Sequence, residues 1–171
     1  MINTIISPED IRIGKIGPER FSEFRGLRLE ALKTVSGAFG SSYEEEYVFS
    51  DEVWKSRIQN MLFATYKNSL IGMIGFSVRL RIKTRHVGDI FSFYVKEQYR
   101  GIGAGSMLLE EAILNLEKNK GLRKISLSVN CEMKEAIHLY TRFGFKISGK
   151  LIGELNLDGK YYDEYIMEKP K

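Results

Sequence analysis

A single cysteine, Cys131, stands in the whole chain, so no intramolecular disulfide can form and stability must come from a packed core. Histidine is almost as scarce: His86 and His138 lie far apart, and no His/Cys cluster has the spacing of a metal site. The expectation is no metal, both histidines in ordinary surface or edge roles, and Cys131 as a small half-buried apolar residue just after a strand. No run of about twenty apolar residues and no signal-peptide pattern is present, which points to a cytoplasmic protein without a membrane partner. Three prolines, no repeat and no low-complexity segment leave nothing that reads as an interdomain linker. Neither sign of charge dominates: 26 Lys and Arg against 22 Asp and Glu leave +4. These charges are interspersed rather than run together, so nucleic acid is not an expected partner; the small excess reads as solubility with some steering of a polyanion.

What the chain does have is enough apolar material for one core. At 171 residues, 43% hydrophobic and 12% aromatic, residues 1–171 read as one domain. Ile11, Ile13 and Ile16 suggest a first strand. Pro18 can then start a helix with Phe21, Phe24, Leu27, Leu29, Ala31, Leu32 and Val35 on a broad apolar face, ended by Gly37. Ser50-Asp51-Glu52 reads as the capped start of a second helix burying Val53, Trp54, Ile58, Met61 and Leu62. Residues 63–67 and 70–81 read as a hairpin, Lys83-Thr84-Arg85 as a polar turn, and His86 to Val95 as a central strand. There follow a helix from Gly103 to Lys120, a strand from Arg123 to Val129, a helix from Met133 to Phe143, and closing strands over 145–152 and 161–167. The fold class is α/β (α+β) with a mixed sheet.

The most informative stretch joins the aromatic strand Ile90-Phe91-Ser92-Phe93-Tyr94-Val95 to an amphipathic helix through Arg100-Gly101-Ile102-Gly103-Ala104-Gly105-Ser106. Leu108, Leu109, Ala112, Ile113 and Leu116 form the apolar stripe of that helix. Glycines at a helix N-terminus let an anion approach unpaired backbone N–H groups and the positive end of the helix dipole, so a pyrophosphate fits there. A P-loop requires Lys-Ser/Thr after its last glycine, and Ser106-Met107 stands here instead. A dinucleotide fingerprint requires Gly-x-Gly-x-x-Gly near the front of a βαβ unit, and this register is Gly-x-Gly-x-Gly in mid-chain. A tight turn packing helix on strand is the remaining plain reading.

The segment resembles the acetyl-CoA loop of the GNAT (Gcn5-related N-acetyltransferase) family, Gln/Arg-x-x-Gly-x-Gly/Ala, in the form Arg-Gly-x-Gly-x-Gly after a strand ending at Val95. A second motif agrees: Ala136-Ile137-His138-Leu139-Tyr140-Thr141-Arg142-Phe143-Gly144-Phe145 resembles the family's Ala-x-x-Leu-Tyr-x-x-x-Gly-Phe. The resemblance covers roughly residues 70 to 168 and more weakly the first two helices. It implies a mostly antiparallel twisted sheet of six to seven strands, about four flanking helices and splayed central strands. It implies acetyl-CoA as cosubstrate, with Phe93, Tyr94 and Val95 offering backbone contacts to the pantetheine arm and Arg100 to Ser106 cradling the pyrophosphate. It also implies that the N–H near Val95 polarises the acetyl carbonyl and that Tyr140 protonates the departing thiolate. Where the family commonly has an asparagine that bonds the pantetheine, this chain has Met133, and Asn130 at the strand end is the candidate replacement.

The resemblance further implies a small-molecule primary amine as acceptor and a possible homodimer. Glu44 and Glu45, in the acidic stretch Glu44-Glu45-Glu46 between the first two helices, become candidates for lining the acceptor groove; a solvated acidic turn is the alternative. A non-catalytic acyl-CoA-binding protein and a protein N-terminal acetyltransferase stand as competing readings. No residue stands out as the general base.

Overall fold

The computed structural model describes residues 6–171. Twelve elements follow one another: β1 (Ile11–Gly14), α1 (Phe21–Thr34), α2 (Tyr43–Tyr47), α3 (Asp51–Arg57), β2 (Met61–Tyr66), β3 (Ser69–Val78), β4 (Val87–Val95), α4 (Ala104–Glu117), β5 (Lys124–Asn130), α5 (Lys134–Arg142), β6 (Lys146–Leu157) and β7 (Lys160–Pro170). The strands make one sheet in the order β1-β2-β3-β4-β5-β7-β6. Every pairing is antiparallel except β4 with β5, which the α4 crossover makes parallel.

Two apolar layers cover the two faces of the sheet. On one, the α4 stripe Leu108, Leu109, Ala112, Ile113 and Leu116 packs with Tyr140, Phe145, Ile125, Leu127, Val129 and Met167. On the other, Phe24, Leu27 and Ala31 of α1 and Trp54 of α3 pack on Phe63, Met73 and Tyr94. Period-2 alternation along β5 follows from this: Ile125, Leu127 and Val129 face α4 and α5, while Ser126, Ser128 and Asn130 face the α1 side.

The second helix is shorter than its apolar pattern predicts. It stops at Arg57, a 3-10 turn spans Ile58–Asn60, and Met61 and Leu62 open β2. Residues 61–64 are buried on both faces, so they form a continuous apolar run that periodicity cannot tell from a helix face. Val53, expected to be buried, is 39% exposed. Pro18 opens a 3-10 turn ahead of α1 rather than α1 itself, and α1 ends at Thr34, so Val35 and Gly37 lie beyond it.

The acidic stretch is a helix. Ser42 Oγ accepts from the Glu45 N–H at 3.2 Å and Glu45 Oε2 accepts from the Ser42 N–H at 2.7 Å, a capping box that starts α2. One residue on, Glu46 is buried and takes two forked hydrogen-bond pairs, from Arg28 at 3.0 and 2.7 Å and from Arg57 at 2.8 and 3.2 Å. Burial alone would raise the Glu46 carboxyl, but the two guanidinium groups outweigh it and hold it at about 2.

Candidate active site

The parallel ladder between β4 and β5 is only three pairs long, Val87 with Lys124, Gly88 with Ile125 and Asp89 with Ser126. Beyond Asp89 the strands diverge. A bulge in β4 contributes to this: between the pairs Gly75–Phe91 and Met73–Tyr94, Ser92 and Phe93 oppose Ile74 alone, and Ser92 sits at φ +51. The extra residue turns the end of β4 away from β5 and leaves strand edges facing each other across a gap.

At the end of that edge, alternation decides which groups face the gap. The Lys96 N–H donates to the Ile71 carbonyl on β3 at 2.9 Å, so the preceding N–H and C=O, those of Val95, point the other way. The Val95 carbonyl accepts from Arg100 Nε at 2.9 Å, which leaves the Val95 N–H as the open donor on that edge. Tyr94 pairs with Met73, and the same alternation turns its backbone toward β3, against the expected backbone contact. Its side chain is engaged on the α1 side, the hydroxyl donating to Glu30 Oε1 at 3.0 Å and lying 3.3 Å from Thr34 Oγ1.

The gap opens into a cavity of about 720 Å³. Phe93, Tyr94 and Val95 line it from β4, Ser128, Val129 and Asn130 from β5, and Arg100, Gly101, Gly103, Gly105 and Ser106 from the glycine loop. Gly101 at φ +77 and Gly103 at φ +92 are left-handed, a conformation that costs a residue with a Cβ, so these glycines shape the turn as well as granting access. Gly103 is the N-cap of α4 and offers no side chain to its first N–H groups, which therefore remain free for an anion at the cavity mouth. Ile102 and Ala104 do not line the cavity; Ile102 packs on the core and Ala104 is buried in it.

Tyr140 lines the cavity from α5 and is 6% exposed. Its ring lies 6.0 Å from Phe93 and 5.9 Å from Phe145, centroid to centroid. Burial pushes its phenol well above the ordinary range, which keeps the proton on oxygen. Met133 lines the cavity too. Asn130 does as well, but its amide is already in use: Nδ2 donates to the Gly37 carbonyl and Oδ1 accepts from the Glu132 N–H, both at 2.8 Å. Its evident work is to tie the end of β5 to the turn after α1.

Glu44 and Glu45 lie outside the lining of this cavity, and Glu45 is occupied as a helix cap. The lining also includes residues that the sequence pattern did not single out. Glu135, His138 and Arg142 recur at i, i+3 and i+7 on one face of α5, a spacing visible in the sequence; of the three, the sequence pattern gives a role to His138 alone, an ordinary surface or edge one. Ala38 and Phe39 come from the turn after α1, for which no sequence signal existed, and Val35, expected on the apolar face of α1, joins them.

An open backbone donor beside a cleft between parallel strands, an uncapped glycine-rich helix start and a buried phenol fit a nucleotide thioester with an extended arm. The comparisons with known proteins agree. The profile of the Acetyltransferase (GNAT) family matches residues 29–145. The L-amino acid N-acetyltransferase AaaT of Escherichia coli K12 is 28% identical over 127 residues, spanning 71% of this chain and 78% of that protein. The spermidine N(1)-acetyltransferase of Vibrio cholerae is 25% identical over 123 residues, 71% of this chain and 69% of that one. Among solved structures, a GNAT-family acetyltransferase from Streptococcus pneumoniae superposes with a TM-score of 0.84 at 26% identity, covering 94% of this chain and 99% of the other. The chain therefore belongs to the GNAT family, as an acetyl-CoA-dependent acyltransferase.

Proposed function

We propose that the protein moves the acetyl group of acetyl-CoA onto the primary amine of a small molecule by direct attack within a ternary complex. The observation that carries this reading is the gap beyond Asp89, with the Val95 N–H facing into it and the uncapped start of α4 at its mouth. Arg100 and the N–H groups from Gly103 to Ser106 would hold the pyrophosphate, and the pantetheine arm would lie along the edge of β4.

The Val95 N–H would donate to the thioester carbonyl oxygen, a bond that gains strength as that oxygen becomes an oxyanion. Such a preorganised donor supplies about 3 kcal/mol of selective stabilisation elsewhere. Tyr140, held protonated by burial, would donate to the sulfur as the C–S bond breaks. Small amines are favoured as acceptors by the amino-acid and spermidine enzymes to which the chain is similar. An N-alpha-acetyltransferase of Sulfurisphaera tokodaii, 32% identical over 83 residues, supports a second reading in which the amine is a peptide N-terminus.

Thiol release from acetyl-CoA against a panel of polyamines, amino acids, aminoglycosides and short peptides tests both. Release with a small amine that falls in Tyr140→Phe is the expected result. Release with peptides alone would select the second reading, and tight acetyl-CoA binding without release under any amine would overturn transfer.

A further inference from the structure

Attack requires an amine that has lost its proton; the carboxylate in the cavity lining, Glu135, stands on α5, and the β5 edge contributes none of its own. One lies directly behind it. Glu164 of β7 is the cross-strand partner of Asn130 and is buried, 8% exposed. Alternation along β7 fixes its direction. Tyr165 and Met167 pack in the α4–α5 layer, so Glu164 shares the opposite face with Ser126, Ser128 and Asn130, the face on which α1 and its following turn lie.

No ion pair engages Glu164 among the described residues. The nearby cation Lys150 is committed to Asp163 at 2.7 Å. Ser128 pairs with Ile166 on β7 and so stands diagonally across from Glu164 on the same face, and its hydroxyl and the Glu154 carboxylate from β6 are the groups that bear on the Glu164 carboxyl. On β6 its cross-strand partner is the uncharged Leu151. Glu154 belongs to the bulged stretch of β6 between Leu151 and Leu155, pinned where Asp163 Oδ1 accepts from the Gly153 N–H at 2.8 Å. Ser128 itself is exposed and lines the cavity.

We propose that Glu164 is the proton acceptor for the incoming amine, reached through the Ser128 hydroxyl, and that the pair Glu154 and Glu164 suits the site to a cationic primary amine. The inference rests on the acetyl-transfer reading above. In the step, an N–H bond of the ammonium breaks and its proton passes to Ser128 Oγ. The Oγ–H proton moves on to the Glu164 carboxylate, and the electron pair left on nitrogen attacks the thioester carbon. Ser128 ends as it began and Glu164 ends protonated, to be discharged to solvent. Burial, and after it the Glu154 charge, raise the Glu164 carboxyl, while Ser128 favours its charged form; the result is a stronger base than a surface carboxylate.

The test compares wild type, Glu164→Gln and Ser128→Ala by the pH dependence of kcat/KM with an amine found in the thiol-release panel. Both variants are expected to lose about tenfold or more near neutrality. The deficit should close as the pH approaches the amine's own pKa, where free amine no longer needs a base. Acetyl-CoA affinity by calorimetry should not move. A loss that is uniform across pH, or no loss in either variant, would overturn the proposal. Ser128→Ala alters an exposed hydroxyl, so it decides the matter even if Glu164→Gln folds poorly.

A direct titration of the Glu164 carboxyl by carbon-detected NMR separates this inference from the functional reading. A carboxyl that titrates in the ordinary glutamate range and ignores an added polyamine would overturn Glu164 even in an active enzyme. Absent thiol release with every amine would overturn the transfer reading and leave the titration to decide Glu164.

Discussion

Arg100 Nε donates to the Val95 carbonyl oxygen at 2.9 Å, so the residue that opens the glycine loop also closes one of the two polar groups that Val95 turns toward the gap. The bond fixes the loop to the strand end and leaves the Val95 N–H alone on that edge. It also places the guanidinium 5.8 Å from the Tyr94 ring centroid, at the cavity lining.

Arg100→Ala should therefore weaken acetyl-CoA binding and loosen the donor together. Loss of a hydrogen bond to a charged group costs about 1.5 to 3 kcal/mol, so an affinity loss of about tenfold or more by calorimetry is expected. Arg100→Lys keeps the charge but not the Nε geometry, and should fall between the two. Equal affinity for all three proteins would show that the loop holds its anion by backbone alone.

Tyr140→Phe removes one oxygen from a ring that Phe93 and Phe145 hold in place. The ring packing survives, so stability and the KM for acetyl-CoA should change little while kcat falls about a hundredfold. Steady-state kinetics at saturating amine check this. An unchanged kcat would remove the acid role and leave Tyr140 as packing.

Gly103→Val places a β-branched residue at φ +92, where such a side chain is strained, and puts its branches beside the first free N–H groups of α4. The nearest protein atoms to an added Cβ are those of Pro8 at 3.9 Å, so the cost comes from the backbone and from the anion site rather than from a clash. Acetyl-CoA affinity should drop far below that of wild type, with the variant still folded by circular dichroism.

Glu46 governs the acid stability of the α1–α3 side. Its folded carboxyl is held at about 2, below the ordinary 4.5, so its contribution is complete above about pH 4.5 and is lost as the pH falls through 2. That shift corresponds to about 3 kcal/mol. Urea unfolding at neutral pH and near pH 2 should show wild type losing this amount, whereas Glu46→Gln starts lower and loses less over the same interval. Identical pH slopes would contradict the assignment.

Much of the chemistry was legible in order along the chain. The glycine spacing between an aromatic strand and an amphipathic helix pointed to the loop proposed to hold the cofactor, because a helix start with small residues and free N–H groups is a local arrangement. The resemblance to the family's second motif pointed to Tyr140, and the amphipathic pattern of α5, read from neighbours three and four residues apart, agrees with its burial. The loop residues that depend on local backbone, Gly101, Gly103 and Gly105, line the cavity.

What needed the tertiary structure were the relations between strands. Whether Glu46 faces solvent or two arginines depends on where α1 and α3 cross α2, and three consecutive glutamates carry no trace of that. Met61 and Leu62 read as helix because a central strand buried on both faces has no period. Nothing in the sequence marks Glu164 within the closing strand over 161–167, yet its pairing with Asn130 and the direction of alternation put it behind the β5 edge of the gap. The sequence by itself determined most of the elements and the glycine loop, since those rest on contacts a few residues apart. The gap, the freedom of the Val95 N–H and the surroundings of Glu164 were decided by register across a sheet, where each partner is set by the folding of distant segments.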